Sequence, residues 1–285
     1  MKSCLDSVPP STKQVAAATA ADHAPLSRAV RAVSGVTFAS RIAGLARNVI
    51  IARVFGDTIV GSAFAAAFQT PNMFRRLFGE GALSAAFIPA YTESLRRDQS
   101  NGPLTAGGPS LAGSLARLTL IVLGIATTAL TVVIELVLVA VLLFMDHTPE
   151  RALSLQLMLV MIPFMPLICG VAVLAGMLQV HGRFAWAGSG PIVLNLFIIV
   201  VGAFFMIRGE TGGPTTAFAL AAATTLSGLT QLLFFFRLLR PWVRWSPAHP
   251  DARLRARLML GRFIPVAIGM GTIQVNAFLD MLIAM

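Results

Sequence analysis

The sequence predicts an all-α, polytopic membrane helix bundle, on three observations. Hydrophobic residues make up 56% of the 285-residue chain and charged residues only 12%, whereas a soluble domain carries about a quarter charged residues. A water-facing surface cannot be built along most of such a length. The apolar residues fall into seven stretches, each able to cross a hydrocarbon core of ~30 Å as about 20 helical residues. Basic residues concentrate in alternate connections between these stretches, as in a chain threaded back and forth through a bilayer.

Residues 1–30 mix Ser, Thr, Pro and Ala with scattered charges and hold no apolar core of signal-peptide length, so they predict a retained, disordered cytoplasmic tail. Six spans follow over 31–240, near 33–54, 58–78, 112–144, 153–180, 186–207 and 215–239. Residues 79–97 are too polar and too broken to span, and are expected along the inner surface. A basic linker at 241–261 sets Trp242 and Trp245 among Arg240, Arg244, Arg253, Arg255 and Arg257, a pairing that suits the headgroup layer. The seventh span, 262–285, ends within a helix at Met285, so the sequence is read as the N-terminal portion of a longer chain.

Charge gives orientation and narrows the partners. All but Lys2 and Lys13 of the 22 basic residues are arginine, against 12 acids, for a net charge of +10. Lys2, Lys13, Arg28 and Arg31, then Arg96, Arg97 and Arg117, then Arg183, then the linker arginines fall on one side. Arg151 and Arg208 are nearly alone on the other, which puts the N-terminus in the cytoplasm. The arginines are spread between apolar segments, so nucleic acid is not an expected partner. The phospholipid bilayer and a phosphorylated ligand are. Cys4 and Cys169 are too few and too differently placed for a disulfide framework or a metal site.

The first span buries Arg41 and Arg47 well inside the membrane, with Arg53 near its outer end, free to snorkel. Each mid-membrane arginine costs about 2.5–3.5 kcal/mol on insertion scales, so two in one span imply a wet or polar interior. On a straight helix they lie about 120° apart, and Gly35 or Gly44 could kink the helix to bring them together. In the second span Pro71 is expected to break the helical ladder before Asn72, Arg75 and Arg76, with Arg75 facing the interior and Arg76 paired to Glu80. Thr224, Ser227, Gly228 and Gln231 form one stripe of the sixth span, explained as well by close packing as by a ligand surface. Pro163, Pro166, Gly170 and Gly176 predict a bent, tightly packed fourth span. Glu135 and Asp280 are intramembrane carboxylates that must be protonated, paired or ion-bound. HExxH, CxxC, P-loop and Gly-x-Ser-x-Gly patterns are absent, which argues against an enzyme and predicts neither metal nor cofactor.

Three segments together resemble the MurJ (MviN) family of lipid II flippases. They are Ser40-Arg-Ile-Ala-Gly-Leu-Ala-Arg47, Ala52-Arg-Val-Phe-Gly56 and Pro71-Asn-Met-Phe-Arg-Arg-Leu-Phe-Gly-Glu80 continuing to Pro89. Weaker likenesses follow at His181 to Phe184 with Pro191 and Asn195, and at Gln274 to Asn276 with Asp280. The resemblance implies the MOP exporter fold, of which this chain would hold the N-terminal lobe and the first helix of the second. It implies that Arg41, Arg47, Arg75 and Asn72 bind the diphosphate-linked head of lipid II, with Gly44, Pro71, Arg76, Glu80 and Arg53 in structural or gating roles. It further implies a cation site at Asp280 and Asn276, sodium or proton coupling, the inner membrane as location, and the peptidoglycan synthesis machinery as a candidate partner. Asn48 and Ser62 stand where many relatives carry Asp, which would leave the arginines less neutralised. The competing readings are another MOP exporter, for drugs or polysaccharide intermediates, a membrane enzyme acting on polyprenyl phosphates, and a scaffold that transports nothing.

Overall fold

The computed structural model describes residues 12–74, 82–100, 109–246 and 249–261, with single positions at 263, 265 and 269. Among the described residues the chain is helical, with no strand. The helices are α1 Thr12–Phe55, α2 Ile59–Phe74, α3 Ala82–Ser100, α4 Leu111–Phe144, α5 Pro149–Met161, α6 Phe164–Val180, α7 Phe184–Ala187, α8 Gly190–Arg208 and α9 Pro214–Leu239. A further helical stretch covers 252–261. The seventh expected span lies almost wholly outside the described residues.

Helix α6 is the axis of the bundle. It packs against α9, α4 and α3 and buries Phe164, Ile168, Cys169, Val173, Met177 and Leu178. A helix that is apolar all round has no face to give to water, and the centre of a bundle is where it can sit. The expected bend of the fourth span falls at Ile162 and Pro163, which keep right-handed helical dihedrals. Pro163, which has no N–H to donate, separates α5 from α6, and Pro166 falls in the first turn of α6 where its missing donor costs nothing. Helix α1 lies on α8, α2 on α5, and α8 on α9. Glycines set the closest approaches: a Cβ on Gly202 of α8 would come within 2.5 Å of Ile50 Cγ2, and one on Gly228 of α9 within 2.7 Å of the Phe164 ring.

Four helical segments are long and apolar enough to cross a membrane, Leu111–Phe144, Pro149–Val180, Gly190–Arg208 and Pro214–Leu239. The outer face of α4 displays Ile125, Leu130, Val133, Leu136 and Val137, all exposed, as a helix in hydrocarbon must. The chain is therefore a multi-pass membrane protein.

Two expectations are corrected. Helix α1 begins at Thr12, so residues 12–30 are helical where a disordered tail was expected. The run Val15-Ala-Ala-Ala-Thr-Ala-Ala is rich in the strongest helix former, and that preference outweighs the low hydrophobicity. Pro71 does not end α2, which continues to Phe74; the proline removes one backbone hydrogen bond, and helical geometry holds on both sides.

One end of the bundle is tied into a knot. Helix α3 buries Leu83, Phe87, Tyr91, Ser94 and Asp98 along one face and leaves Arg96 and Arg97 exposed, so it lies against the bundle as a surface helix. Asp98 caps α4: its Oδ2 accepts from Ser110 Oγ at 2.8 Å and Ala112 N at 3.0 Å, and its Oδ1 from Leu111 N at 2.9 Å. An anion at a helix N-terminus satisfies orphan donors and meets the favourable end of the dipole. The linker closes on the same turn, because Gly113 lets the Arg244 carbonyl oxygen sit where a Cβ would be. Ser114 Oγ accepts from His249 N at 3.1 Å. Beside it, Tyr91 Oη and His181 Nε2 are 3.2 Å apart, and the Arg183 guanidinium lies 4.9 Å from the Trp242 ring centre. Burial holds the His181 pKa below the ordinary imidazole value. On the exposed edge of α3, the hydrogen bond from Arg97 keeps the Glu93 carboxyl below its ordinary value, helped by the charges of Arg96 and Arg97.

Candidate functional site

A cavity of about 580 Å³ opens between α1, α6 and α8, with α2 and α9 contributing. Its wall on α1 is Thr37, Ser40, Arg41, Gly44 and Arg47. The two arginines share this space although α1 runs unbroken through Gly35 and Gly44. The sequence left a kink open as the way to bring them together, and none is needed. Gly44 lies angularly between them, so the helix presents an arginine on each flank of a bare patch of backbone. Across that patch stands Asn195 of α8, whose Nδ2 is 3.6 Å from where a Gly44 Cβ would be and donates to Ser40 O at 3.4 Å.

Arg47 is held on several sides. Nη1 donates to Asn195 Oδ1 at 3.1 Å, while Nε and Nη2 donate to Asn48 Oδ1 at 3.2 and 2.9 Å. The guanidinium lies 5.2 Å from the centre of the Phe68 ring on α2, in range of a cation–π attraction. The oxygens that orient it through these bonds belong to neutral amides. Ser62 has no part in this, since it is exposed at the start of α2 and donates to Thr58 O at 3.4 Å. Arg41 has no hydrogen-bond or ion-pair partner among the described residues and opens to the cavity.

Asn72 reaches the cavity from α2, beyond Pro71, which is itself buried. Arg53 is exposed in the last turn of α1 and does not line the cavity. Arg75, Arg76, Glu80, Asn276 and Asp280 lie outside the described residues. Glu135 is half-buried on α4, away from the cavity, and makes no ion pair with a described arginine. The polar stripe of α9 divides. Thr224 Oγ1 donates to Leu220 O and Ser227 Oγ to Thr224 O, both within the helix, and Gly228 serves packing. Gln231, one turn further, lines the cavity. Asn195, Gln179 and Gln231 complete a polar wall that spans three helices. Helical periodicity alone cannot separate such residues from packing groups.

A wide space with two guanidinium groups, carboxamides and hydroxyls, set among membrane-spanning helices, is chemically suited to an anion bearing further polar groups. Comparisons with known proteins bear on the family and the fold. The sequence profile of the family described as lipid II flippase MurJ matches residues 51–285. A Rhizobium tropici protein named probable lipid II flippase MurJ is 29% identical over 253 residues, 88% of this chain and 47% of its own length. The Burkholderia cenocepacia lipid II flippase MurJ is 29% identical over 270 residues, 91% of this chain and 50% of its own length. The chain thus spans about half the length of the curated relatives it matches. Among solved structures, lipid II flippase MurJ in an inward closed conformation superposes with a TM-score of 0.62 at 23% identity, over 87% of this chain and 49% of that one. An outward-facing multidrug resistance MATE family transporter of the MOP superfamily gives 0.64 at 17% identity, over 89% and 54%. These likenesses show a MOP-exporter-like helical lobe. By the profile match over most of its length, the chain belongs to the MurJ family.

Proposed function

We propose that this chain forms the first lobe of a flippase for a polyprenyl-diphosphate-linked peptidoglycan precursor of the lipid II type, in the bacterial inner membrane with its N-terminus in the cytoplasm. The observation that carries the reading is the convergence of Arg41 and Arg47 of α1 on one cavity whose other walls belong to the apolar helices α6 and α8. A guanidinium presents donors in a planar fork that fits phosphate oxygens, and a diphosphate offers the two negative centres that repay burying two such groups. The polar head travels through the cavity while the polyprenyl tail stays in lipid, and rocking of two lobes exposes the cavity to one face and then the other. Asn72 extends the binding surface from the second helix, and Arg75 is a further residue to test for phosphate binding. The movement is coupled to a sodium ion or proton, with Asp280 and Asn276 as the residues to test. Every step is non-covalent, so the reading calls for no catalytic group and no cofactor.

The test is Arg47→Ala in the full-length protein, in cells that depend on it for growth. Growth is expected to fail while the amount of protein in the membrane stays unchanged. Normal growth would overturn the role of Arg47, and a vanished protein would point to a structural role instead.

A further inference from the structure

Gln231 has no place in the diphosphate reading, yet its surroundings are unusual. It is 1% exposed, it lines the cavity, and its Nε2 is buried without a hydrogen-bond partner among the described residues. A buried amide left unpaired costs free energy, so such groups are rare in folded proteins unless something else completes them. Its neighbour is the first residue of α8, Gly190, where a Cβ would lie 2.9 Å from Gln231 Oε1. The bare glycine leaves the carboxamide room to turn, and the terminal torsion of glutamine is broad and two-fold, so a half-turn exchanges its donor and acceptor ends.

Position along the helices says what such a donor would meet. Gly188 packs on Val36 of α1, while Asn195 lies level with Ser40 and Gly44, so Gly190 belongs to the end of the cavity that precedes the arginines. Asn195 is five residues further along α8, about 7.5 Å at 1.5 Å per residue. Near Gly190 the lining groups are Gln231 and, one turn before Arg41 on α1, Thr37, and both are neutral. Hydroxyls and carboxamides of this kind pair with hydroxyls and amide carbonyls, and a site built to hydrogen-bond them rejects ligands that lack them.

We propose that Gln231 is a specificity-determining residue, donating a hydrogen bond to an uncharged oxygen of the ligand head, a sugar hydroxyl or an acetamido carbonyl, about one sugar ring away from the arginine-bound diphosphate. This assignment rests on the diphosphate reading. The test is equilibrium binding to the purified protein in detergent of two probes, a short-chain polyprenyl diphosphate and the same lipid carrying an N-acetylated disaccharide. Wild-type protein should favour the disaccharide-bearing probe. Gln231→Met keeps the volume and removes the amide. It should weaken that probe about five- to ten-fold, the loss of one hydrogen bond, and leave the bare diphosphate within two-fold. Gly190→Ala, which crowds the carboxamide without removing it, should move binding the same way by less. Equal affinity of the wild type for both probes, or equal loss of both in Gln231→Met, would overturn the assignment and leave the diphosphate reading standing. Wild-type protein that binds neither probe would overturn both.

Discussion

The knot around Asp98 and the cavity around Arg41 both gather polar and charged side chains and treat them in opposite ways. At the knot the buried carboxylate accepts three hydrogen bonds, Tyr91 meets His181, and Arg183 lies on Trp242. A second cavity there, about 380 Å³, has Asp98 in its wall, but that carboxylate is already committed to α4. In the larger cavity Arg41 has no partner among the described residues, and Gln231 Nε2 has none. The contrast teaches how to separate a structural polar cluster from a binding one: the carboxylate, phenol and imidazole of the first meet one another or the backbone of described residues, and the second leaves a guanidinium and an amide for a ligand.

This contrast can be broken by stability measurements. The largest effect is expected at Gly113→Val, where any side chain must displace the Arg244 carbonyl oxygen and so lift the linker from α4. Overpacking of this kind costs about 3 kcal/mol or more, read as a fall in Tm. An unchanged Tm would mean that the linker does not sit there. Asp98→Ala comes next at about 2 kcal/mol, because it strips the cap from α4 and orphans buried donors. Arg41→Gln is predicted to change stability by less than about 0.5 kcal/mol while weakening diphosphate binding, since the described residues give that charge no partner. A loss as large as that of Asp98→Ala would erase the distinction between the two regions.

The smallest effect concerns pH. The folded His181 pKa is depressed by burial, with Tyr91, Trp242 and Arg183 as its neighbours. Above an ordinary imidazole pKa of about 6.5 the ring is neutral in both states and contributes nothing to pH dependence. Below it the unfolded chain takes up the proton first, so the folded state loses stability as pH falls, until the lower folded pKa is passed. The fall in Tm between pH 7.5 and 5.0 should therefore be shallower in His181→Gln than in the wild type. Parallel slopes would contradict this.

Much of the fold was legible because membrane depth forces long apolar runs, and arginines within them are conspicuous. Arg41 and Arg47 stood out for that reason, and the polar break at 79–97 marked the surface helix α3. What was not legible depends on distant pairings. Arg47 and Asn195 are 148 residues apart, and no periodicity joins them. Gln231 was visible only as one member of a stripe whose other members pack, and their hydrogen bonds close within α9. The angle between Arg41 and Arg47 suggested separate faces, because it counted the helix and not the width of the space beside it. The Ala-rich start of α1 shows local helix preference prevailing where composition pointed to a tail.

Thiol labelling tests the central claim most directly, namely that α1 turns one face to water at membrane depth and the other to lipid. Single cysteines at Ser40, Arg41 and Leu45 are introduced into a Cys4→Ser background that keeps the buried Cys169, and membranes are treated with a hydrophilic maleimide. Positions 40 and 41, in the cavity wall, are predicted to react, and position 45, whose leucine is 66% exposed and outside the cavity wall, is predicted not to. Positions 40 and 41 as unreactive as 45 would contradict the account.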